Sequence, residues 1–341
     1  MKTPTHLLSA ALAIANLRGS AAAPSNNSQP TSCHGPLVRH EWRQLSLEQR
    51  LEYIGAVKCL MSLPSENNEL WPGAKSRYDD FQGLHIYVTE KVHFNGPFLP
   101  WHRWLLYLFE TELRDKCSYQ GSLPYWDISL DNTEETFVRS PVFDNVYGLG
   151  GNGPYIEDLS DEEEFPTKTP TEIPNRTGGG CVEQGPFANL TVPMGLGASV
   201  EYQPHCLRRD FSPTLVAGAL SDEVIERTLS AETYDEFNHH VQGYSFENAD
   251  MYSSPGDPIF YFIHTALDKI WNDWQRKDWP ARKTAIGGPD AMFAYPFNFF
   301  GDVPYENITL QFPLSFPMFG RDMLVSEMMD IRGGPFCYDY Q

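Results

Sequence analysis

The sequence predicts a mainly α-helical fold: a bundle of helices joined by long loops, with short extended pieces at its edges. Three observations predict it. Four segments repeat apolar residues at three- and four-residue steps, recognisable helix-start signals open three of them, and the stretches between are rich in Gly, Pro and Thr instead of alternating strands. With 341 residues, 41% apolar and 13% aromatic, the chain can bury a large core, which excludes a disordered chain or a small disulfide-stapled module. Twenty-five Lys and Arg stand against 45 Asp and Glu, a net charge of -20. Such a surface repels phosphate backbones and anionic lipid heads, which argues against nucleic acid or a membrane as partner.

Residues 1–23 read as a secretory signal peptide: a basic start at Lys2, an apolar stretch from Leu7 to Leu17, and the small residues Ala21 to Ala23. The apolar stretch is too short to span a bilayer, so the expected product is a secreted, extracellular domain over residues 24–341. Six cysteines then predict up to three disulfides, with 15 pairings open. Asn26, Asn175, Asn189 and Asn307 begin N-x-Ser/Thr sequons; Asn26 lies very close to the expected new terminus, which leaves Asn175, Asn189 and Asn307 as the glycosylation candidates.

Ser46 followed by Gln49 reads as a capping box, and Leu47, Leu51, Ile54, Val57 and Met61 give the helix after it an apolar face. A second helix is expected from about Tyr78 to Glu90, with Tyr78, Phe81, His85 and Val88 on one face. The third begins at Pro100 and carries His102, Leu106, Phe109 and Leu113 in register. The fourth opens with Asp257 as N-cap and Pro258, then places Phe260, His264, Leu267, Trp271 and Trp274 on one side. Between the third and fourth lies a loop-dominated region, roughly Asp131 to Thr214, containing the acidic run Asp161 to Glu164.

A buried histidine on a helix is usually a hydrogen-bonded core residue. Here His85 and His102 lie on core faces of successive helices and His93 on their connection, so three imidazoles can converge. Neutral imidazoles suit copper, zinc, iron or nickel, and no HExxH motif supplies the carboxylate base of a zinc hydrolase. Spacing alone therefore indicates a metal without selecting it.

The run from Phe94 through Asn95-Gly96-Pro97-Phe98-Leu99-Pro100-Trp101 to His102-Arg103, then Leu123-Pro124-Tyr125-Trp126-Asp127, and Asp257-Pro258-Ile259-Phe260 leading to His264 and Asp268, resemble the tyrosinase family of type-3 copper proteins. The segment Gly185-Pro186-Phe187 and the run Cys206 to Asp210 are similar to short secreted fungal tyrosinases and catechol oxidases. The resemblance implies a tyrosinase-like helical bundle and copper as cofactor, with a small phenolic substrate and O2 as partners. His85, His93 and His102 match the ligands of the first copper and His264 the last ligand of the second. Asp268 matches the acid that orients the site, where it could accept the other ring N–H of His264, and Phe260 matches the aromatic over the copper pair. Tyr338-Asp339-Tyr340 resembles the closing tyrosine motif with Arg39 as partner, and the chain stops there, without the shielding C-terminal domain of many relatives.

Two departures accompany the resemblance. The family places two further histidines four residues apart before a stretch like Ser253 to Asp257, but Tyr244 to Tyr252 contains none. His239 and His240 lie upstream on the preceding helix and, as neighbours, point about 100° apart, so His240 is at most a single additional second-copper candidate. Lys91 also stands where some relatives have a cysteine joined to a ligand. The resemblance implies oxidation of phenols or o-diphenols to o-quinones by two coppers if the second site is complete. Otherwise the scaffold holds one copper or none and acts by binding, or the sequence lacks a short segment present in its relatives.

Overall fold

The computed structural model describes residues 33–157, 174–243 and 251–341. The signal-peptide segment, the Asn26 sequon, the acidic run Asp161 to Glu164 and the segment 244–250 lie outside the described residues. In chain order the elements are β1 (Leu37–Arg39), α1 (Leu47–Ser62), α2 (Arg77–Val92), α3 (Phe98–Cys117), α4 (Glu134–Val138), β2 (Thr191–Val192), β3 (His205–Cys206) and α5 (Pro213–Ala219). There follow α6 (Asp222–Ser230), α7 (Tyr234–Gln242), α8 (Ile259–Lys277), α9 (Trp279–Arg282), β4 (Pro313–Leu314), β5 (Met323–Leu324) and β6 (Tyr338–Tyr340). The mainly α expectation holds: α3 packs against α8 and α1, α1 against α2, and the strands form only two-stranded ribbons among the described residues.

The capping box at Ser46 forms as expected, each partner accepting the other's backbone N–H. A second one, Ser76 with Asp79, starts α2 just ahead of the expected boundary. The third helix starts at Phe98, so Pro100 falls within its first turn, where a missing N–H leaves no bond unmade. The Asp257 carboxylate accepts from Ile259 N at 3.1 Å, as an N-cap would, although regular helix begins two residues later. The expected face of α1 needs correction. Ile54 and Val57 are buried, but Leu47 and Leu51 are exposed, and the buried stripe is Tyr53, Ile54, Ala56, Val57 and Leu60. Leu47 and Leu51, in the first turn and a half of this helix, stay about half exposed.

Aromatic packing fixes α3 between its neighbours. Phe109 stacks on Tyr261 of α8 at 3.5 Å between ring centroids, and Trp101 stacks on Phe316 at 5.2 Å. Three disulfides form: Cys33–Cys337, Cys59–Cys117 and Cys181–Cys206. The first lies beside the parallel pairing of β1 with β6, which brings Arg39 opposite Tyr340, and the second ties α1 to the end of α3. No helix among the described residues is long and apolar enough to cross a membrane.

Candidate metal centre

Helices α2 and α3 and the turn between them deliver three buried imidazoles to one point. His85 comes from the third turn of α2, His93 caps its C-terminus, and His102 lies in the second turn of α3. One ring nitrogen from each lies within 4.8 Å of those from the other two, and this is the one group of that kind among the described residues. The Nδ1 atoms face backbone carbonyls: His85 to Tyr252 O at 2.8 Å, His93 to Thr89 O at 3.0 Å, His102 to Phe98 O at 2.7 Å. A carbonyl only accepts, so each Nδ1 carries the proton and each Nε2 keeps its lone pair. The Nε2 atoms of His85 and His102 then oppose lone pairs at 3.4 Å, an arrangement that a cation between them relieves.

Electrostatics favour neutral rings. Burial pushes His85 down to about 3, a shift the Tyr252 carbonyl opposes and nearby His264 reinforces. Burial also holds His93 and His102 well below the ordinary imidazole range, and the other histidines push in the same direction. Imidazoles that resist protonation and share one focus are the donor set a borderline transition metal requires, so these residues fit a copper ion.

His264 reaches the same cavity from α8. Its ring stacks on that of His102 at 4.2 Å, and Phe260, one helical turn earlier, lies 4.1 Å from His264 and edge-on to His85 at 5.1 Å. The expectation that Asp268 accepts the second N–H of His264 is corrected by the structure. Its carboxylate takes Arg103 Nε at 2.5 Å, Tyr338 OH at 2.6 Å and Tyr340 OH at 2.5 Å, with Arg39 at 3.4 Å, while His264 Nδ1 has no hydrogen-bond partner. Burial would raise this carboxyl, but Arg103 and Arg39 outweigh it and hold it below its ordinary value. Two cations and two phenols aligned on one face of α8 compete better than a neutral imidazole for the same oxygens.

The described residues do not assemble a second set of three imidazoles. His240 is not a member of the three-imidazole group, and the ring of His239 packs on Phe297 at 4.9 Å. His205 lies on β3, bonded to Gln203 O. Among the described residues, His264 has no second group of imidazoles of its own beside it. Sequence reasoning also missed Tyr234, Asn238 and Gln242. Their spacing of four along a helix is a readable signal for one shared face, but nothing in the sequence says what that face meets.

The helical scaffold and its three-imidazole cluster define a class of metal-binding helical bundle, and comparison identifies the family. Residues 75–277 match the family described as tyrosinase, common central domain, so the chain belongs to the tyrosinase family of type-3 copper oxidoreductases. Tyrosinase P of Aspergillus terreus is 33% identical over 341 residues, covering 90% of this chain and 93% of that protein. N-acetyl-6-hydroxytryptophan oxidase of Emericella nidulans is 32% identical, with 98% of this chain and 100% of that protein covered. Among solved structures, a mutant polyphenol oxidase from Thermothelomyces thermophila superposes with a TM-score of 0.77 at 30% identity, over 91% of this chain and 90% of that one.

Proposed function

We propose that this chain is a secreted, copper-dependent phenol oxidase that converts phenols or o-diphenols to o-quinones with O2. The single observation that carries the reading is the convergence of His85, His93 and His102, each with its Nδ1 committed to a carbonyl and its Nε2 directed inward. These three would hold the copper, which when bound supplies electron exchange with O2. The protein's part is to keep the imidazoles neutral, exclude water and present an aromatic wall. Phe260, edge-on to His85 and tilted against His264, supplies that wall. Asp268 acts one layer out, fixing α3 and α8 by way of Arg103, and not through His264. The names of the relatives, a tyrosinase and an oxidase of a hydroxylated tryptophan, support an aromatic hydroxyl compound as substrate.

Export from the cell rests on the leader, and glycan attachment on Asn175, Asn189 and Asn307, whose side chains are all exposed. A second reading is favoured by the absence of histidine from 241 to 263 and by a three-imidazole group that does not include His240. It is a one-copper protein on the same scaffold, impaired in phenol oxidation and acting by binding. Copper content of the purified chain, measured with oxygen uptake and quinone formation from a catechol, separates the two. Quinone formation that vanishes on chelation supports the oxidase; bound copper without turnover supports the second reading.

A further inference from the structure

We infer that helix α7 positions His93 for metal, with Gln242 as the principal positioning residue; the inference rests on the reading of His93 as a copper ligand. Tyr234, Asn238 and Gln242 recur at intervals of four and so lie along one face of α7. All three reach the backbone immediately after His93. Tyr234 OH donates to Gly96 O at 2.9 Å, Asn238 Nδ2 to Asn95 O at 2.8 Å and Gln242 Nε2 to Asn95 O at 3.0 Å. The Gln242 side chain also works in reverse, its Oε1 accepting from Phe94 N at 2.5 Å. All three residues are buried, so each bond forms without competition from water.

The turn they hold needs outside support. Phe94 sits at φ 48°, the left-handed region that a bulky residue adopts only when its surroundings compel it. The turn's far side is fixed by Gly96 N donating to Pro289 O at 2.7 Å, and a Cβ on Gly96 would overlap the Gly287 carbonyl. Among the described residues the His93 ring makes its one hydrogen bond to Thr89 O, one of the carbonyls left open by the end of α2. The backbone direction that aims this ring at His85 and His102 is thus set by its next residue, and Gln242 grips that residue's N–H. A helix that contributes no imidazole to the cluster acts on it through the main chain.

The test compares copper affinity in the wild-type chain, Gln242→Met, Asn238→Ala, Gln242→Glu and Gln275→Met, with thermal unfolding of each metal-free form. Gln275 donates to Met329 O at 3.0 Å and is equally buried, so its variant controls for the loss of any buried side-chain bond. Gln242→Met is expected to weaken copper binding about tenfold or more, as removal of a ligand's supporting bond does, and to alter the nitrogen hyperfine pattern in the Cu(II) EPR spectrum. Asn238→Ala should move both readouts the same way, and Gln242→Glu, which keeps an acceptor for Phe94 N but loses the donor to Asn95 O, should weaken copper binding too and recover part of it at a pH that protonates the carboxyl. Gln275→Met should lower only the unfolding temperature. Unchanged affinity and spectrum in Gln242→Met and Asn238→Ala overturn the inference while leaving the metal site standing; a wild-type chain that binds no copper overturns both.

Discussion

Asp268 meets Arg103, not His264. The carboxylate is one helical turn beyond His264 and the guanidinium is next to His102, so their 2.5 Å contact joins the two histidine-bearing helices just behind the cluster. The Arg103 guanidinium also lies 3.8 Å over Trp271, and Arg39 reaches the same carboxylate while pairing with Glu110 at 2.8 Å. This network is fully buried, where an ion left without its partner is strongly unfavourable. Asp268→Ala should therefore lower stability by about 3–5 kcal/mol in urea unfolding. A loss under about 1 kcal/mol would mean that the network is better hydrated than its burial indicates.

The same network depends on the pairing of β1 with β6. Arg39 is supplied by β1, Tyr338 and Tyr340 by β6, and Cys33–Cys337 closes the loop beside them. Replacing both cysteines by serine should cost about 2–5 kcal/mol. Combined with Asp268→Ala, the loss should fall short of the sum of the two, because both act on one network. Additive losses would place the disulfide outside it.

Acid should destabilise the metal-free protein through its buried imidazoles. Burial holds His85 at about 3, while an unfolded chain protonates this residue near the ordinary imidazole value of 6.5. Between these values the unfolded state binds more protons, so stability falls as pH drops from 6.5 toward 3 and is level above. His93, His102 and His264 are shifted in the same direction and steepen the slope. His85→Leu should reduce that slope by up to about one proton in a pH series of unfolding free energies. An identical slope in the variant would show that His85 is protonated in the folded state.

The four long helices, the Ser46 cap and the meeting of His85, His93 and His102 were legible in the sequence because each follows from local periodicity and short-range turn chemistry, whereas the short helices such as α4 and α6 were not. The exposed leucines of α1 were not, since an amphipathic pattern cannot tell how far a neighbouring helix extends. The partner of Asp268 was misjudged for a related reason. An i to i+4 spacing places His264 and Asp268 near each other, yet Arg39 and Tyr340, more than two hundred residues before and some seventy after, arrive through strand pairing that no local signal reports. His240 illustrates the same limit: its helix was legible, but which way that helix faces depends on packing against α6 and the His93 turn.

Copper titration of the chain against variants in which His85, His93 and His102 are singly replaced by Ala tests the metal site most directly. The arrangement predicts at least one tightly bound copper per chain, held by three nitrogens in the EPR spectrum and lost or greatly weakened in every variant, whereas His240→Ala leaves it unchanged. Undiminished copper in the three variants, or a copper lost on replacing His240, would contradict it.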